Sequence, residues 1–192
     1  EPVIAACAKW GVDYLDITGE TFFISNMIKK YEQKARETGA RLIPFSGFDS
    51  VPADLMVFQA LSAAKNKNLL LDKLYHYYQI KGGFNGGTLA SALNMADMSK
   101  QEKIQNHMVP AAYLAQTTAA FLKPRFEPAI KRWSAPFFMN PINREVVRRS
   151  AWLRAELGQP TTPFQYQERL VMGKLFGYWK AYLTSGSLVA FH

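Results

Sequence analysis

The chain has 192 residues, 48% of them hydrophobic and 20% charged, with 23 basic residues against 15 acidic ones and a formal charge of +8. That much apolar material builds one or two globular units and excludes a disordered tail, a coiled coil, collagen and a solenoid. One cysteine rules out an internal disulfide framework, three histidines without HxxxH or CxxC spacing give zinc no ligand set, and the dispersed basic residues point to no nucleic-acid partner.

The opening Glu1-Pro2 enters an apolar run, Val3 to Ala8, that predicts a helix, and Gly11 stops it. The chain thus reads as beginning inside a domain, and a fragment of a longer protein is expected. Asp13 to Thr18 alternates as a short strand and ends in the loop Thr18-Gly19-Glu20. In the next helix Ile24, Met27, Ile28, Tyr31 and Ala35 recur at three- and four-residue steps, Lys29, Lys30 and Lys34 lie opposite, and Gly39 follows the last turn. Ala40 to Phe45 predicts a second strand, and Ser46 to Ser50 turns it into a helix with Pro52 in its first turn, where a missing amide costs nothing. Strands alternating with helices on short connections predict parallel pairing in an open α/β sheet. Two strands do not make a stable sheet, so others are expected before Glu1, which suggests truncation or association with another chain.

Lys65 to Asn68 is a polar break, which places a first domain at 1–65 and a second at 66–192, with segments of the second free to return to the first. Leu74 to Ile80 carries three tyrosines in a strand-like run, followed by the glycine-rich turn 82–88 and a helix from Leu89 to about Met98. Residues 100–121 show a helical apolar pattern, Pro124, Pro128, Pro136 and Pro141 punctuate an irregular region, and a helix is expected from Asn143 to Leu157. No run of about 18 apolar residues supports a membrane-spanning helix. The apolar, aromatic tail 170–191 suits an amphipathic helix in a core or at an anionic lipid surface.

The loops 16–20 and 47–54 both leave the carboxyl ends of expected parallel strands, the edge at which open α/β sheets bind ligands. Asp16, Glu20, Asp49 and Ser50 therefore converge on one crevice or, on the plainer reading, simply cap the helices that follow. Carboxylates at helix N-termini repel phosphate, so these loops suit hydroxyls, amides or ammonium groups. The turn at Gly86, Gly87 and Thr88 lacks the ending of a nucleotide P-loop; it serves as a strand-to-helix turn or holds an anion. Arg144, Arg148 and Arg149 read as a solvated face, with phosphate or carboxylate binding as the alternative. His76 and His107 have no triad-type partner, Cys7 reads as a small core residue, and Met95, Met98, Trp133, Phe137 and Phe138 read as packing.

Several stretches taken together resemble the saccharopine dehydrogenase-like oxidoreductase family, which includes the trans-acting enoyl reductases of mycobacterial lipid synthesis. They are 1–3 with Ala6-Cys7, 13–20 (DYLDITGE), 38–44, 47–55 (GFDSVPADL), Gly82-Gly83 with 86–92, 133–139 and 142–150, in this order. The resemblance implies an α/β fold: the C-terminal part of a Rossmann-type parallel sheet, then an α+β domain with a mixed or antiparallel sheet for catalysis or dimerisation. It implies NAD or NADP in a full-length parent, with Asp16, Thr18, Gly19, Glu20, Gly47, Phe48 and Ser50 near the cofactor and Asp49 at the reacting centre. Gly86, Gly87, Thr88, Asn143 and Arg144 would face substrate or an anion. The family's glycine-rich fingerprint is absent from this sequence, so tight cofactor binding by the 192 residues alone is not expected. The implied substrate is a small lipid-linked or amino-acid-derived molecule, the implied location cytoplasmic or membrane-associated, and a homodimer is a further expectation. The alternative is a catalytically inactive interaction or membrane-surface protein of the same fold.

Overall fold

A computed structural model describes residues 1–80, 108–110, 123–159 and 164–172. They fall into two compact units, the first built from 1–70, 108–110 and 142–159, the second from 71–80, 123–141 and 164–172.

In the first unit the order is α1 (Pro2–Trp10), β1 (Tyr14–Leu15), α2 (Thr21–Thr38), β2 (Leu42–Ile43) and α3 (Val51–Asn66), joined by most of α4 (Asn140–Glu156). Gly11 ends α1 with φ 71°, and a Cβ there would sit 2.9 Å from the Thr38 carbonyl oxygen, so only glycine lets α1 and α2 approach. Thr38 completes that contact by donating its hydroxyl to the Ala8 carbonyl at 2.7 Å. Ile24, Met27 and Ala35 are buried as their spacing requires, with Ile4, Ala8, Val57, Ile142, Val147 and Ala151. Strands β1 and β2 pair in parallel, Tyr14 beside Leu42 and Leu15 beside Ile43. Both are shorter than the sequence predicts, and two strands do not by themselves establish a Rossmann-type sheet.

The second unit carries a mixed sheet in the order β3 (Lys73–Tyr78), β6 (Gln165–Val171), β5 (Arg132–Pro136), β4 (Arg125–Glu127). Strands β3 and β6 run parallel, while the other two pairs are antiparallel. The proline-punctuated stretch is therefore not irregular: Pro124 and Pro128 flank β4 and Pro136 ends β5, so the hairpin between them keeps its amides. Residues 170 and 171 close a strand rather than opening a helix.

The sheet buries charge on one face. Glu127, 4% exposed, accepts from Arg125 Nε at 2.6 Å, Ser134 Oγ at 2.6 Å and Tyr77 Oη at 3.0 Å, and lies 2.9 Å from Arg169 Nε. Fully buried Arg169 also donates to Ser134 Oγ at 2.7 Å and to the Lys123 carbonyl at 2.8 Å. Burial works to raise the Glu127 carboxyl, but the bonds from Arg125, Ser134 and Tyr77 hold it below the usual range.

Candidate functional site

Parallel pairing carries both post-strand loops to the same edge of the β1–β2 sheet, and backbone bonds lock them there. The Ser46 N–H donates to the Asp16 carbonyl at 2.8 Å, extending the ladder beyond both strands. Phe45, buried, holds a left-handed φ of 57°, uncommon for an aromatic residue, at the turn immediately before Ser46. At Gly47 a Cβ would stand 3.3 Å from the Ile17 Cβ, so the absence of a side chain lets the second loop lie against the first.

Within this rim the predicted residues divide by role. Asp16 accepts the Thr18 N–H at 3.0 Å in an Asx-type turn and takes a hydrogen bond from the Tyr14 hydroxyl. The Tyr14 phenol is pushed up to about 12, first by that bond and then by burial, so it stays a donor. Ser50 is buried and donates to Asn143 Oδ1 at 2.8 Å, while Asn143 Nδ2 donates to the Asp49 carbonyl at 3.0 Å. Asn143, fully buried near the start of α4, thus clasps the Asp49-Ser50 turn and leaves the Asp49 side chain exposed at the rim beside Phe48, which is 90% exposed. Glu20 is exposed and Gly19 borders open space. Neither Glu20 at the start of α2 nor Ser50 at the start of α3 makes a side-chain capping bond, so simple capping does not account for either residue.

The arginines of α4 depart from the solvated-face reading. Arg148 is buried and pairs with Glu145 at 3.0 Å, and burial, then Arg144 nearby, draw its guanidinium down. Arg149 reaches Glu32 of α2 at 2.6 Å and the Met108 carbonyl at 3.0 Å. Arg144 lies 3.6 Å from Glu145. Asn143 therefore reaches the rim, while Arg144 and Arg148 lie beside Glu145 and Arg149 joins α4 to α2 through Glu32. Gly86, Gly87 and Thr88, His107, Met95 and Met98 lie outside the described residues, as do the helices expected over 89–98 and 100–121.

A cavity of about 460 Å³ lies elsewhere in this unit, lined by Ile24, Met27, Tyr14, Leu42, Arg149 and Leu153 among others, and none of Asp16, Asp49 or Ser50 borders it. Its walls combine apolar side chains of α2, β2 and α4 with Tyr14, Glu32, Arg41 and Arg149, so polar groups able to orient a ligand stand both here and at the rim. Sequence reasoning missed Tyr14 and Phe45. Two-residue spacing in a strand puts Tyr14 on the side of Asp16, a signal present in the sequence, but nothing there marks the left-handed Phe45. Among the described residues no group of three or more His, Cys, Asp or Glu side chains is placed to hold a metal ion, and no helix is long and apolar enough to cross a membrane.

No protein-family model matches the chain, and no solved structure matches it. In sequence it is similar to a protein of Mycobacterium tuberculosis named provisionally as a trans-acting enoyl reductase, 34% identical over 189 residues, which cover 90% of this chain and 44% of that protein. The trans-acting enoyl reductase of Mycobacterium ulcerans is 29% identical over 198 residues (91% and 46%), and that of Mycobacterium bovis 32% over 196 residues (90% and 45%). The chain spans less than half the length of these relatives.

Proposed function

We propose that this chain is part of a nicotinamide-dependent oxidoreductase, of the saccharopine dehydrogenase-like kind, that reduces the carbon–carbon double bond of an enoyl group. The observation that carries the reading is the shared rim: two loops with exposed carboxylates, fixed to each other at the carboxyl edge of a parallel strand pair. The similarity to proteins named as enoyl reductases over nine-tenths of the chain supports the reaction class. Of the implied substrates, a lipid-linked acyl chain fits that name better than an amino-acid derivative.

The rim suits only part of a dinucleotide. Glu20 precedes α2 and Asp54 occupies the first turn of α3, so both helix N-termini already hold negative charge and disfavour a pyrophosphate. Asp49, Gly19 and Thr18 suit the uncharged ribose hydroxyls and the carboxamide of the nicotinamide half. The cofactor, when bound, supplies the hydride. Asp16 shapes the first loop, Asn143 and Ser50 hold the second, and Asp49 presents a carboxylate to the ligand. Positioning of donor and acceptor carbons governs such a transfer, so no nucleophile is required of these loops.

Calorimetric titration with nicotinamide mononucleotide tests this. Asp49→Ala is expected to weaken binding about tenfold, a loss of about 1.4 kcal/mol, at an unchanged unfolding midpoint because the side chain is exposed. Equal affinity in both proteins removes Asp49 from the site, and no saturable binding to either contradicts the reading.

A further inference from the structure

The second face of the mixed sheet carries a chain of proton-bearing groups with a defined direction. Registers His76 beside Glu168 and Leu74 beside Tyr166 place His76, Tyr78, Tyr166 and Glu168 together, away from the Glu127 and Arg169 face. Glu168 is fully buried, and its Oε1 accepts from Tyr166 Oη at 2.7 Å and from Tyr78 Oη at 3.1 Å. Tyr166 Oη lies 3.3 Å from His76 Nδ1. A phenol has one hydrogen, and Tyr166 gives it to Glu168, so toward His76 it must accept. That fixes the imidazole with its proton on Nδ1 and leaves Nε2 as the basic end. His76 is half-buried, which draws its pKa below the ordinary value and keeps the ring neutral near pH 7. Burial foremost, then Glu168, raises the Tyr78 phenol and keeps it a donor. Tyr78 is stacked between His76 and Phe137, with ring centroids 4.2 and 4.3 Å away. The Glu168 N–H donates to Asn140 Oδ1 at 2.7 Å. The chain is thus seated on β3 and β6 and braced by the residues that follow β5.

We infer that His76, Tyr166 and Glu168 form a proton relay in which the buried carboxylate stores a proton that enters and leaves through the imidazole, with Tyr78 as the second donor steadying the carboxylate. The step balances: a proton binds Nε2, the Nδ1 proton passes to Tyr166 Oη, the Tyr166 proton passes to Glu168 Oε1, and no electrons move. The carboxylate becomes a carboxylic acid and the imidazole exchanges one tautomer for the other. Release is the reverse. These three side chains meet one another and Tyr78, while Arg125, Glu127 and Arg169 lie across the sheet. The relay holds and gives up one proton at a time, which is the proton stoichiometry that saturating a carbon–carbon double bond requires for each hydride. This use rests on the enoyl-reductase reading, whereas the relay itself does not.

Nitrogen NMR of the 15N-histidine-labelled 192-residue chain, with His107→Gln and His192→Gln so that His76 reports alone, tests the relay. The expected result at pH 7 is the Nδ1–H tautomer, changing to Nε2–H in Tyr166→Phe while the backbone spectrum is retained. An Nε2–H tautomer in the parent, or the same tautomer in both, overturns it. Should Tyr166→Phe not fold, infrared spectroscopy of the parent and Glu168→Gln decides: a buried carboxylic-acid band growing in as the pH falls and absent from the variant supports the relay, and identical spectra overturn it. Failure here leaves the enoyl-reductase reading standing, while failure of the rim to bind nicotinamide mononucleotide leaves the relay standing.

Discussion

The two units differ in where their ion pairs and carboxylates stand. In the first, ion pairs such as Lys34 with Glu37 and Lys30 with Glu1 stand in solvent, and the rim carboxylates of Glu20 and Asp49 are exposed. The second drives Glu127, Glu168 and Arg169 into a sheet four strands wide among the described residues and satisfies them there. The physical lesson is that exposed polar groups are available to ligands and contribute little to stability, whereas buried ones are committed to the fold and respond sharply to change.

Removing one partner of the buried pair gives the largest effect. Arg169→Leu is expected to cost about 3–5 kcal/mol in urea unfolding, because it strands part of the hydrogen bonding of Glu127 and Ser134. The double change with Glu127→Leu should lose much less than the two single changes added together. Additive losses would break the contrast, since the charges would then act independently. Asn143→Ala comes next: it orphans buried Ser50 and releases the Asp49 carbonyl, for about 1–3 kcal/mol on the same assay.

Legibility in the sequence follows the same division. Helices α2 and α3 and the parallel pair were readable because Ile24, Met27 and Ala35 keep a helical period and Gly39 and Pro52 punctuate it. The rim followed from that order, since parallel strands must present successive loops at one edge. Strand β6, QYQERLV, was not readable: its buried residues include Glu168 on one face and Arg169 on the other, so it carries no apolar alternation, and their partners Tyr78 and Glu127 lie 90 and 42 residues earlier in the chain. The hairpin β4–β5 was hidden by prolines that turn out to mark strand ends. The clasp of Asn143 on Asp49 and Ser50 joins residues more than ninety positions apart, which no local pattern reveals.

Smaller effects sharpen the comparison. Asp54, like the buried Arg148–Glu145 pair, is an exception in the first unit, its carboxyl raised by burial despite accepting from Ser150 Oγ at 2.8 Å. A raised folded pKa means stability that is fully present below the ordinary aspartate value of 3.8 and lost as the pH climbs through the folded pKa. Asp54→Asn should therefore raise the urea midpoint at pH 7, with the gain disappearing below about pH 4. A gain that persists in acid would assign the effect to packing. Lys34→Ala, which breaks an exposed pair, is expected to change stability by less than about 0.5 kcal/mol.

The shared rim is probed most directly by backbone amide shifts recorded while nicotinamide mononucleotide is added to the 15N-labelled chain. Shifts concentrated in residues 16–20 and 46–50, and weakened by Asp49→Ala, are the expected result. Shifts confined to the cavity-lining residues Ile24, Met27 and Leu153, or none at either loop, would contradict the account.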